Sequence, residues 1–344
     1  MRKRGISAGR REMLFWCGVL APLAEFMPGG GKGAWLAPVA AIPLLMLGRK
    51  AVADLSGERG LASGAAELLG RKLGRLYLII YMVWGQVLLT LRLRLCGERL
   101  LAAGSRDGSL TFFLVGLGAA AIWLSRAELA AFARAAQMVL ILLAVVSGAV
   151  LLLALPEVVP ERILPVRYQD VLAGGLETAG VLSWGLFAAY LPEERWEEKK
   201  RLFWVGCLVL AVAWAVILGN LGAELAGRLD APFFTLAKRV GVQGAFQRVE
   251  SVVAAVWLLA DLVLVGIILF GQRELMGAMW PGAKGKKANI VSVVAGVLLG
   301  LGMFPEWGLM GRWIGDQAET VNLVLGIALP CLLWIGKKSG ILMG

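Results

Sequence analysis

An ionisable side chain in the middle of a long apolar run needs a partner or water, because a charge held in hydrocarbon costs several kcal/mol. Asp261, in the run WLLADLVLVG, is the clearest such residue in this chain of 344 residues. A carboxylate there can take a proton or a cation, or accept hydrogen bonds from a neighbouring helix. A buried structural or gating role fits it better than that of a coupling-ion ligand. Arg92 and Arg94, in LTLRLRLCGER, stand two apart and so cannot share one face of a helix. One is expected to point into the protein and the other to snorkel towards headgroups. Glu224, in GNLGAELAG, is a candidate partner on the same side. Trp84, Gln86, Gln137 and Asn220 are neutral groups of the kind that joins membrane helices by hydrogen bonds. Glu177 either lies beside an unwound segment or favours the first turn of a helix. Several of the 13 tryptophans map to the ends of apolar runs, as an interfacial belt would. Trp184, between Ser183 and Gly185, is instead the one expected to line a cavity.

The residue types also exclude chemistries. There is no histidine, and the four cysteines, Cys17, Cys96, Cys207 and Cys331, show no paired spacing. Zinc binding and histidine-based catalysis are thereby ruled out as readings of the sequence. The run Gly29-Gly30-Gly31-Lys32-Gly33 has the wrong spacing for a phosphate loop, and no strand precedes it. The sequence therefore predicts a non-enzymatic protein without metal or cofactor.

These side chains are carried on elements whose type is set by composition. Hydrophobic residues make up 59% of the chain and charged ones 17%, and the mean hydropathy is +0.75. That departs from soluble domains towards the membrane. Apolar runs long enough to cross a bilayer recur along its length, and helix is the state that satisfies their backbone in lipid. The pattern predicts an all-α polytopic membrane protein with ten spans, at about 12–27, 34–54, 75–97, 110–126, 132–155, 170–191, 202–226, 249–271, 288–304 and 319–336. All belong to one integral membrane domain, 1–344. The first span is expected to be retained, since no small-residue cleavage site follows it. Net charge is +11, and most Lys and Arg fall in the segments on the side of both termini. Both termini are then cytoplasmic. Anionic headgroups of the bilayer, not nucleic acid, are the expected partners of the basic excess.

Ten spans suggest two inverted halves of five, about 12–155 and 170–336, with the first helix of each half interrupted. Span one carries Gly18 and Ala21-Pro22, which predict unwinding near 18–22. Span six carries Gly174, Gly175, Gly180 and Gly185 without a proline, so its glycines either break the helix or serve close packing.

The segment APFFTLAKRVGVQGAFQRVESVVAAVW, 231–257, joins spans seven and eight. It resembles the corresponding block of the spore germination B-subunit family, the GerAB-type permeases of the amino acid–polyamine–organocation superfamily. The similarity lies in Pro232-Phe233-Phe234, in Phe246-Gln247-Arg248-Val249-Glu250 and in Trp257. Shorter similar strings are Gly33-Ala34-Trp35-Leu36, Leu69 to Gly74, Leu91-Arg92 and Ile163-Leu164-Pro165. The resemblance implies a LeuT-like five-plus-five fold and the sensing of nutrients at the inner membrane of a bacterial spore. It further implies partnership with a larger A subunit and a lipoprotein C subunit. A small nutrient such as an amino acid would bind near Ala21, Pro22, Gly180, Ser183, Trp184 and Phe187, with Trp84 and span eight as walls. Phe233 and Phe234 would form an external gate or partner surface, with Arg248 and Glu250 at the mouth of span eight. The basic N-terminal segment departs from the family pattern, and span one lacks the polar residues often seen at its start. An ion-coupled secondary amino acid transporter and a ligand-free scaffold of the receptor are the alternatives.

Overall fold

The computed structural model describes residues 6–23, 26–28, 31–56, 60–102, 109–191, 200–229, 231–240, 249–280, 282, 285–302 and 317–340; among them regular structure is helical, without a strand. The helices are α1 (Ala8–Leu23), α2 (Ala37–Ala40), α3 (Ile42–Ser56), α4 (Leu61–Leu68), α5 (Gly70–Ala102), α6 (Leu110–Ser125), α7 (Leu129–Ala154) and α8 (Tyr168–Leu182). After these come α9 (Lys200–Leu221), α10 (Ala223–Arg228), α11 (Pro232–Arg239), α12 (Val249–Met279), α13 (Gly285–Gly302) and α14 (Gln317–Lys338).

Seven helical segments are long and apolar enough to span a membrane: Ala34–Ser56, Gly70–Leu101, Leu129–Glu157, Tyr168–Tyr190, Arg201–Leu221, Val252–Met279 and Gln317–Lys338. The chain is a multi-pass, all-α membrane protein in this sense. Three of the ten expected spans fall short of the criterion. Leu110–Ser125 and Lys287–Gly302 are apolar but only 10–17 residues long, and α1 has 16 residues with Arg10, Arg11 and Glu12 at its start.

At the centre, α12 packs against α5, and α1, α7 and α13 close around the pair. With 31 residues, α12 is about 46 Å long at 1.5 Å per residue, against a hydrocarbon core of about 30 Å. Its middle is buried on all sides, so the polar groups it carries must find partners within the protein.

Two spans depart from α geometry. Span six is α-helical to Leu182 and then winds as a 3₁₀ helix from Ser183 to Tyr190. The cause is local. The Ser183 hydroxyl donates to the Ala179 carbonyl at 2.6 Å, while its backbone N–H is shared among the carbonyls of Ala179, Gly180 and Val181. Such back-bonding competes with the α register. In α14, a π stretch runs from Val324 to Ala328, immediately before Leu329-Pro330. The Leu329 N–H reaches back to Val324, so the next carbonyl, Leu325, would need a donor from Pro330. Proline has none. Span one behaves differently from expectation: it stays helical through Gly18 and Pro22 and ends at Leu23. Pro22 lies in the final turn of the helix.

Gly180 marks a close approach of span six to α14. A Cβ built there would lie 2.5 Å from the Glu319 carbonyl oxygen. That neighbour is backbone and cannot swing aside. Gly180→Ala is therefore expected to destabilise the purified protein in detergent by about 1–3 kcal/mol, as overpacking does, and so to lower its apparent Tm. A Tm equal to that of the wild type would show that the two helices separate freely.

Candidate functional site

Among the described residues, the α5–α12 seam carries the most buried charges. Asp261 is 0% exposed, and Arg92 donates to its Oδ1 at 3.1 Å from a side chain 1% exposed. Arg99, 10% exposed, donates to Oδ2. Arg92 and Arg99 are seven residues apart, two turns of one helix face, and so reach the same carboxylate from above and below. Their agreement on one acceptor explains how a carboxylate survives there. A buried ion is tolerated when it is paired and hydrogen-bonded on each oxygen.

Arg94 corrects the expectation of a snorkelling side chain. It is buried too, donating to Glu98 at 2.7 Å and to the Gly300 carbonyl on α13 at 3.0 Å. Because α5 is flanked by α12 on one side and α13 on another, both of its arginine faces find internal partners. Glu224 is not a partner of this group; it pairs with Arg228 one turn on, in the open. Arg99 went unread in the sequence because span three was ended near residue 97, whereas α5 continues to Ala102. The seven-residue spacing from Arg92 was the available signal.

A roof of aromatic rings covers this ion cluster. The Arg99 guanidinium lies 5.4 Å from the Phe234 ring centroid, and Trp257 lies 4.8 Å from Phe233 and 5.7 Å from Phe234. Trp257 is one turn before Asp261. Its indole N–H donates to the carbonyls of Leu20 at 3.0 Å and Ala21 at 3.2 Å. Those carbonyls belong to the last four of α1, which have no partner within the helix. One tryptophan thus caps α1, seats α11 and adjoins Asp261. Arg248 lies outside the described residues. Glu250 lies in the first turn of α12 and Pro22 in the last turn of α1, and their side chains lie outside them as well.

Further along the same seam lies a neutral polar junction. Tyr77 and Tyr190 share a hydrogen bond of 2.8 Å, and the Tyr81 hydroxyl donates to the Leu325 carbonyl, the group that the π stretch and Pro330 leave without a backbone donor. Tyrosines on α5 therefore tie the 3₁₀ part of span six to the π part of α14. Trp84 donates to Asn322 Oδ1 at 2.9 Å. Phe187 fills the clefts left by two glycines, since a Cβ on Gly85 would be 3.0 Å from its ring and one on Gly271 3.2 Å. Ser183 is spent on its own helix. Trp184 lies in the 3₁₀ stretch with its side chain outside the described residues. Of the residues expected at a ligand site, Trp84 and Phe187 come to this junction, Ser183 begins the 3₁₀ stretch that leads to it, Gly180 packs on α14, and Ala21 lies under Trp257.

Gln86 and Asn220 join helices, through Ser292 at 3.0 Å and through Ala154 at 3.1 Å. A second ion pair, unread in the sequence, joins Glu12 of α1 to Arg49 of α3 at 2.7 Å, with the guanidinium 4.7 Å from the Phe203 ring. Among the described residues no cluster of His, Cys, Asp and Glu could hold a metal.

Two outcomes follow from these contacts. Asp261→Asn leaves two guanidiniums around an uncharged amide and is expected to cost about 3–5 kcal/mol. Tyr81→Phe orphans the Leu325 carbonyl at a cost of about 1–3 kcal/mol. Thermal unfolding in detergent checks both, and a Tm shift larger for Tyr81→Phe than for Asp261→Asn would contradict the ranking. No family model matches this chain and no curated protein matches it, so its function is read from these contacts.

Proposed function

We propose that the chain is the membrane subunit of a spore nutrient-germinant receptor, which binds a small polar nutrient between its helices and passes the change to partner subunits. The observation that carries this reading is the change of winding at Ser183 in span six, opposite the π stretch of the last span. Non-α backbone at membrane depth is tolerated only where protein or a polar cavity meets it, and in membrane carriers it marks the ligand. The resemblance of 232–257 to the GerAB-type block supports the receptor assignment, together with the A and C subunits as partners. A LeuT-like arrangement of ten spans with cytoplasmic termini, in the inner membrane of a spore, completes the proposal.

The ion cluster fits a receptor that holds one conformation until a ligand favours another. A ligand shifts such a balance only through its differential affinity for the two states. The Phe233–Phe234 roof over Arg99 is then the element that moves or that a partner touches. An ion-coupled transporter of the same fold is the second reading, favoured by the presence of a carboxylate in the middle of α12. It demands that Asp261 bind a cation, while both of its oxygens already accept from arginines.

Deletion of the gene in a spore-forming host is expected to abolish the response to at least one nutrient. Phe234→Ala should restore less than a tenth of the germination rate that the wild-type gene restores, and A and C subunits should co-purify with the tagged chain. Uptake of labelled nutrient into proteoliposomes that hold this chain alone would contradict the receptor reading in favour of transport.

A further inference from the structure

Gln272 and Asn322 are 5% and 3% exposed, and each has half of its carboxamide engaged and half without a hydrogen-bond partner. The engaged halves are fixed by the same turn of α5. Gln272 Nε2 donates to the Met82 carbonyl at 3.4 Å, and Asn322 Oδ1 accepts from Trp84 at 2.9 Å. What remains is an acceptor, Gln272 Oε1, and a donor, Asn322 Nδ2. Buried polar atoms of this kind are few in native proteins, and each costs about 1–3 kcal/mol while unmet. The two are of opposite sense and are anchored to one turn of α5, with the Phe187 ring on the Gln272 side of it, beside Gly85.

Resting on the reading that the chain binds a nutrient, we infer that this junction takes an uncharged polar solute, which donates to Gln272 Oε1 and accepts from Asn322 Nδ2. The side chains of this junction, Trp84, Phe187, Gln272, Asn322 and the tyrosines, are neutral. A bare ammonium or carboxylate buried among them would lack the counter-charge that burial demands. Glu319, three residues before Asn322, is half-buried and has a partner of its own. The Asp261 cluster lies 11 residues from Gln272 along α12, about 16 Å, and its carboxylate is already held by arginines. A hydroxylated or amide-bearing neutral molecule therefore suits the site better than a zwitterion.

Equilibrium dialysis of the purified full-length protein with labelled glucose, uridine and L-alanine tests this. Glucose or uridine is expected to bind at least tenfold more tightly than L-alanine. Gln272→Leu removes the orphaned acceptor at nearly constant volume and should weaken that binding at least tenfold without lowering the apparent Tm. Gln86→Leu, which breaks a bond to the Ser292 carbonyl away from this junction, should lower the Tm and leave binding unchanged. Preferential binding of L-alanine, or unaltered binding by Gln272→Leu, overturns the inference and leaves the receptor reading standing. Failure of all three solutes to bind the wild type overturns the inference and the ligand-binding reading together.

Discussion

Everything in this fold is arranged around one constraint: a carboxylate on the central helix, sealed from solvent, must be met on both oxygens. Asp261 meets it with Arg92 and Arg99 from α5. That requirement fixes the register of α5 against α12, because slipping either helix by one turn would pull a guanidinium off its oxygen. Removing one partner of such a set leaves a buried charge unmet, which is why the arrangement is held so firmly. α1 and α11 are then placed by the same helix, through Trp257, whose ring and N–H touch both.

The second set of contacts on the seam follows from backbone rules, not charge. Pro330 deprives one carbonyl of its donor, and Tyr81 supplies another. Ser183 draws span six into a tighter winding and brings Tyr190 to Tyr77. Both defects sit where α5 can reach them, so a single helix reads the state of three spans. A change that moves α5 along its axis would be felt at once by the ions and by the tyrosines, since neither set can stretch without losing hydrogen bonds.

Much of this was legible in the sequence, and the rest was hidden for identifiable reasons. Helical class and membrane residence follow from hydropathy alone. Asp261 stands out because nothing around it is polar, and Phe233-Phe234 and Trp257 because of their order. The partners of Asp261 were not legible, since pairing between residues 92, 99 and 261 depends on which helices become neighbours. Arg94 was misjudged for the same reason: its acceptor, the Gly300 carbonyl, is a backbone group that no composition reveals. Pro22 suggests a break in α1, but the helix ends one residue later, at Leu23, so the donor that the proline lacks falls in the final turn. The π stretch before Pro330 has a signal in the sequence, since a proline within an apolar run withholds a backbone donor from the preceding turn.

The aromatic roof and the ion cluster hold one closed state, in which α1 is packed on α12 and its last turn is capped by Trp257. Cys17 is a native reporter for it, fully buried on α1 next to Gly18, which packs on Leu264 and Ile267 of α12. With Cys96, Cys207 and Cys331 replaced by serine, the rate of Cys17 alkylation by a membrane-impermeant maleimide measures the opening directly. Negligible labelling is expected with the roof intact, and at least a tenfold faster rate in Phe234→Ala. Equal rates in the two proteins, fast or slow, would contradict it.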